Sequence, residues 1–241
     1  VFYNSRCAAD LPRPARGGEL PRALDTPRFA ASPLRAMTMP GNARPRLILA
    51  SRSPRRRQLL AEAGLEFEVV PPSDAAECGM CSGENPAQFV ARLAWQKAAD
   101  VAARVAGGLI LGCDTVAECD GRILGKPRDE ADAREMLLAL RGRRHRVLTG
   151  LCLWNKGNGE PLVRVAITTL QMDALSEDAL HAYLESGAWE GKAGAFGYQD
   201  QLGWVRVIEG SESNVVGLPM ELLAEMLRQV ERPGEVPDRL G

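Results

Sequence analysis

A strand-to-helix joint at Ser51-Arg-Ser-Pro-Arg-Arg-Arg57 gathers cations where a helix should begin. Ser53 is a natural N-cap and Pro54 suits the first helical position, which puts Arg55, Arg56 and Arg57 in the first turn. Each cation there opposes the helix dipole by about 0.3–1 kcal/mol, and the three repel one another. The conflict resolves if an anion settles at the turn, held by free backbone N–H groups and guanidinium forks. A solvated arginine patch is the competing reading. A local rule broken at a well-signalled helix start favours the anion.

A carboxylate answers this cluster further on. Gly112-Cys-Asp-Thr-Val116 places Asp114 at the end of an apolar run, and sites in α/β proteins are built outside the carboxyl ends of strands. Gly125-Lys-Pro-Arg-Asp129 follows a short hairpin that can carry Lys126 towards Asp114. A structural ion pair is the bland alternative, and the two readings weigh evenly when taken alone. Only four of the 30 Lys+Arg residues are lysines, so Lys97, Lys126 and Lys192, each beside other polar residues, suggest places that need a compact ammonium. Lys156, in a turn, reads as solvated.

Gly191-Lys-Ala-Gly-Ala-Phe-Gly-Tyr-Gln199 suits close backbone approach to a ligand, and Gln199 offers a donor and an acceptor for a base edge; a flexible connector is the alternative. The run Glu209 to Pro219 closes a cleft or simply turns the chain. No GxxxxGK[ST] loop exists, which argues against P-loop enzymes. With only His145 and His181, a Ser-His-Asp set is implausible. Cys78-Gly-Met-Cys81 has ligand spacing but lacks two further ligands, so it reads as an incidental loop pair, with weak redox or metal binding as the alternative.

The elements that must position these residues alternate. Strands are expected at 46–51, 66–70, 109–113, 116–119, 146–154, 163–172 and 204–209, and helices at 54–63, 86–105, 129–141, 176–186 and 219–230. The result is an α/β fold with a mixed sheet. The loop at 71–84 is long enough to be functional. The 241 residues, 45% hydrophobic and 25% charged, describe an ordinary globular protein able to bury a core. A net charge of -1 gives no field for nucleic acid or anionic membrane, and no apolar run approaches the roughly 18–20 residues of a membrane span. Residues 1–44 are rich in proline and arginine without apolar periodicity or a signal-type h-region. They read as a disordered or over-extended N-terminus, ahead of a domain at 45–232 and a polar tail at 233–241, with a cytoplasmic location.

LILASRSPRRRQLL, GCDTV, GKPRD, GKAGAFGYQ and SNVVGLP, in this order, resemble the Maf family of nucleoside triphosphate pyrophosphatases over about residues 46–230. The resemblance implies a Maf/ITPase-like two-lobed fold, with a mixed twisted sheet flanked by helices and a deep central cleft, commonly dimeric. It also implies divalent-metal-dependent (Mg²⁺ or Mn²⁺) hydrolysis of a nucleoside triphosphate to monophosphate and pyrophosphate. Asp114 matches the family's general base. Arg55, Thr115 and Gln199 match the positions that separate substrate branches, and this combination resembles the dTTP/UTP branch. Ser51, Arg56, Lys97 and Lys126 match polar cleft residues. Glu77 aligns as a cleft and metal carboxylate only with a one-residue insertion, and Asp74 competes for that place. The alternatives are a 7-methyl-GTP-type pyrophosphatase, a non-catalytic nucleotide-binding regulator of cell division, or a homologue disabled by the altered 73–77 segment.

Overall fold

The computed structural model describes residues 45–77, 79–81, 83–157, 159–198 and 203–231. The readings of 1–44 and 233–241 as flanking segments, and of Cys78 and Gln199 as functional candidates, lie outside the described residues.

Strand β1 (Leu47–Ala50) is buried along its whole length and leads into helix α1 (Pro54–Glu62). Strand β2 (Phe67–Val69) returns beside β1 in parallel. Helix α2 (Pro86–Arg104) opens with a capping box in which the Asn85 side chain accepts from the Gln88 backbone and Gln88 reciprocates. Strand β3 (Gly108–Cys119) turns through Asp120 and Gly121, both at positive φ, into β4 (Arg122–Leu124). Next come α3 (Glu130–Leu140), the long hairpin β5 (Arg144–Lys156) and β6 (Leu162–Met172), and α4 (Glu177–Glu185). The described chain closes with β7 (Val205–Glu209), the short α5 (Glu212–Val216) and α6 (Met220–Glu231).

The sheet runs β2-β1-β3-β5-β6-β7, with β4 on β3. β1 is parallel to β2 and β3, and the remaining pairings are antiparallel, which gives the expected mixed sheet. One face carries α2, where Ala94 and Ala98 meet Ile48 and Ile110. The opposite face buries two apolar clusters, one reaching Leu60 and Leu223 on α1 and α6, the other Leu137 and Leu184 on α3 and α4.

Two details depart from the sequence reading. β3 does not break at Asp114: β5 pairs with it continuously from Gly108 to Glu118, and that ladder carries the polar pair Asp114-Thr115 through the strand. Lys156 is not simply solvated either, because its ammonium caps the end of α2 at the Ala102 and Val105 carbonyls.

The strand end that matters belongs to β1. Its pairing with β3 stops at Ala50–Gly112, and β4 begins pairing only at Ala117–Leu124. Among the described residues, positions 113–116 of β3 therefore have no strand partner on that edge.

Candidate active site

Asp114 and Thr115 stand at this opening, and strand alternation sends them to opposite faces. Asp114 points to α2, where the buried Lys97 ammonium lies 2.7 Å from Oδ1. Two glycines make that contact possible. A Cβ on Gly112 would stand 2.1 Å from the Ala94 carbonyl, and one on Gly150 would stand 2.2 Å from that of Val90. α2 thus rests directly on the backbone of β3 and β5, and Lys97 reaches across. The same ammonium lies 3.3 Å from Oε1 of Glu77, so two carboxylates converge on one cation. Asp74, the competitor for Glu77, instead pairs with Arg52 at the surface, its side chain 93% exposed.

Thr115 points to the other face and meets Arg56. This arginine is buried and four of its donors are engaged. Nε donates to the Gly217 carbonyl (2.8 Å), Nη1 to Ser51 Oγ (2.9 Å) and the Cys113 carbonyl (3.0 Å), and Nη2 to Thr115 Oγ1 (2.9 Å). A guanidinium has five donors, which leaves one N–H for a ligand. The arginine cluster is thus divided: Arg56 knits the site together, Arg55 lines the cavity and donates to the Gly191 carbonyl (3.0 Å), and Arg57 is exposed. Ser53 occupies the N-cap position without a side-chain capping bond, against expectation, and its own N–H donates to Ser51 Oγ. The first turn of α1 carries no acidic residue.

A cavity of ≈ 240 Å³ collects Ser51, Arg55, Arg56, Glu77, Lys97, Asp114, Thr115 and Lys126, every candidate among the described residues. Lys126 makes no hydrogen bond or ion pair among the described residues. Its loop is tied down by the Gly194 N–H on the Gly125 carbonyl, 2.9 Å. Beyond Thr115 the wall becomes apolar through Ala117, Val147, Leu170 and Phe196. The cavity is therefore two-ended, with charge at one end and flat or aliphatic surface at the other. Such a shape suits a ligand that joins an anion to a planar apolar group.

Sequence reasoning passed over two residues, one behind the cavity wall and one in it. Thr149, fully buried on β5, places its hydroxyl 2.9 Å from that of Thr115. His145, 5% exposed, lines the apolar end, and its Nδ1 has no hydrogen-bond partner among the described residues. Burial drives its pKa below the ordinary value, against a backbone hydrogen bond at Arg143 and the charge of Glu118. Neither residue stood beside a local motif; only the cross-strand register sets Thr149 against Thr115 and His145 at the cavity. Cys113 beside the site is an inert thiol, pushed up to about 11 by burial. Cys81 is a half-buried free thiol. Among the described residues no group of three or more His, Cys, Asp or Glu could hold a metal ion by itself, and no helix is long and apolar enough to cross a membrane.

Known proteins resemble this chain along its folded length. A protein from Rhodopirellula baltica named dTTP/UTP pyrophosphatase is 55% identical over 201 residues, covering 82% of this chain and 88% of its own. One of the same name from Geotalea uraniireducens is 43% identical over 189 residues, covering 78% and 96%. A HAM1 protein structure from Coxiella burnetii spans 76% of this chain and 98% of its own at 16% identity, with a TM-score of 0.43. The family model described as Maf-like protein matches residues 46–230, and the chain belongs to that family.

Proposed function

We propose that this protein hydrolyses dTTP and UTP to the nucleoside monophosphate and pyrophosphate. The observation that carries the reading is a carboxylate facing cations inside one two-ended cavity. Asp114 Oδ1 is held by Lys97, while Oδ2 has no hydrogen-bond partner among the described residues. Support for the substrate comes from the relatives' name and from Arg55, Thr115 and Gln199, the residues that resemble the dTTP/UTP branch.

In this mechanism the triphosphate lies over the start of α1, where the N–H groups of Arg55 and Arg56 face the anion without an acidic competitor. Lys97 fixes the Asp114 carboxylate so that Oδ2 accepts a proton from water. The water oxygen bonds to the α-phosphorus, the bond from that phosphorus to the bridging oxygen breaks, and pyrophosphate leaves. Arg55 and Lys126 neutralise the charge that develops on it. Ser51 and Arg56 hold the end of β1 against β3 throughout, which keeps Thr115 in place. Thr115 and Gln199 read the O4/N3 edge of thymine or uracil, and the apolar end of the cavity receives the ring.

The donor set fits a divalent cation. Glu77 and Asp114 converge within ion-pair distance of the same ammonium, and Mg²⁺ binds through one or two carboxylates together with substrate phosphates. Those two residues would hold Mg²⁺ or Mn²⁺, which supplies charge neutralisation on phosphate oxygens and a more acidic water. A cytoplasmic homodimer completes the reading.

The test is a panel of dTTP, UTP, CTP and 7-methyl-GTP with Mg²⁺ or Mn²⁺, assayed separately for pyrophosphate and orthophosphate. Pyrophosphate from dTTP and UTP is expected. Orthophosphate as the sole product points to a phosphatase, and no product from any nucleotide points to a binding protein. Either result overturns the proposal.

A further inference from the structure

Thr149 takes no part in the mechanism above, yet it is fully buried with its hydroxyl against that of Thr115, which lines the cavity. Among the described residues its only side-chain partner is Thr115 Oγ1, at 2.9 Å. A threonine hydroxyl has one proton and accepts two hydrogen bonds. If Thr115 donated to Thr149, the Thr149 proton would be buried with nowhere to go, and an unsatisfied buried donor loses its hydration without return. Thr149 is therefore the donor. Thr115 Oγ1 then accepts twice, from Thr149 and from Arg56 Nη2, and both of its lone pairs are committed.

What remains to Thr115 is its own proton. Among the described residues it donates only to the Gly217 carbonyl, at a long 3.4 Å, and that oxygen also receives Arg56 Nε at 2.8 Å. Thr115 lines the cavity, on the same face of β3 as Ala117 at its apolar end. The hydroxyl is thus left as a donor towards whatever occupies the cavity.

We infer that Thr149 is a specificity-determining positioning residue: by saturating the acceptor capacity of Thr115, it makes that hydroxyl an obligate donor that favours a pyrimidine with a carbonyl at C4 over one with an amino group. This rests on the pyrimidine triphosphate reading above. Uracil and thymine present an acceptor at C4, where cytosine presents a donor that would face the Thr115 proton. Without Thr149, one lone pair of Thr115 is freed and the hydroxyl can turn to accept from an amino group.

The experiment compares kcat/KM for UTP and CTP in wild type, Thr149→Val, Thr149→Ser, Thr115→Val and the Thr115→Val/Thr149→Val double variant. Thr149→Val keeps the shape and removes the hydroxyl, and the UTP/CTP ratio is expected to fall about tenfold. Thr149→Ser restores most of that ratio. The double variant matches Thr115→Val alone, because Thr149 acts only through Thr115. A UTP/CTP ratio left unchanged by Thr149→Val overturns the inference even if total activity drops, and so does a Thr149→Ser ratio as low as that of the valine variant. Wild type that releases no pyrophosphate from either nucleotide refutes the activity alone. The same variants are then compared by the ratio of UTP to CTP dissociation constants in EDTA, with the same expectations.

Discussion

Helix α2 carries two buried cations, one on either side of the Ala94 contact, and they behave differently. Arg92 forks onto both oxygens of Glu84 (2.7 and 2.8 Å), adds the Gly79 carbonyl and Gln96, and stacks over Phe89. Glu84 accepts the Cys81 N–H as well. Planar guanidinium geometry closes this cluster and ties Gly79, Cys81 and Glu84 to the helix. Lys97 instead offers a point charge to two carboxylates, of which Glu77 is 45% exposed. The first cluster has few partners left to find, and the second can exchange partners when a polyphosphate arrives. Arginine suits the closed cluster and lysine the open one.

Five perturbations sharpen or break this contrast. Asp114→Asn, on the open side, is expected to lower pyrophosphate release by about 10²–10⁴-fold with the circular dichroism spectrum unchanged; undiminished release would remove Asp114 as the base. Arg92→Met, on the closed side, strands the Glu84 charge and should reduce unfolding free energy by about 3–5 kcal/mol in urea, while turnover per folded molecule stays at the wild-type level. A loss of turnover without a loss of stability would invert the comparison. Gly112→Ala tests the helix seat shared by both clusters. Its methyl meets the Ala94 carbonyl, so α2 must move, which should cost about 1–3 kcal/mol and lower kcat through Lys97.

The closed cluster also has a pH signature. Burial alone would raise the Glu84 pKa, but the Arg92 hydrogen bond, the Cys81 N–H and the Arg92 charge together hold it below its ordinary 4.5. A carboxylate lowered on folding stabilises fully above its unfolded pKa, and that contribution disappears as pH falls through the folded value. The stability difference between wild type and Glu84→Gln, followed by urea melts from pH 6 downwards, should hold above about pH 4.5 and shrink below it. A difference that grows on acidification would mean the pair does not hold Glu84 ionised. The smallest effect belongs to Lys156→Ala, which uncaps the far end of α2 and should cost about 0.5–1 kcal/mol by thermal melt with kcat untouched.

What the sequence disclosed follows from range. The Pro54 start of α1 and the short hairpin ahead of Gly125 are short-range signals, and both formed where their residues predicted. Asp114 was visible as an acid in an apolar run, but the run itself was read as ending there, because local pattern does not reveal that β5 pairs through it. Arg56 was read as a phosphate ligand like its neighbours. Its bond to Gly217, 161 residues away, adds a bracing role that no local pattern announces. The glycines at 112 and 150 looked like ordinary strand residues until a helix was placed on them, and the Thr115–Thr149 pair exists only through the register.

The interrupted edge of β3 has a consequence for how the protein behaves outside catalysis. A row of unpaired backbone groups inside a sheet invites any stray strand, its own or a neighbour's, to complete the ladder. The Arg56 guanidinium stands in that gap on the Cys113 carbonyl, so a side chain occupies an acceptor that a further strand would otherwise use. One buried cation thus serves the sheet's hydrogen-bonding ledger and the wall of the cavity together.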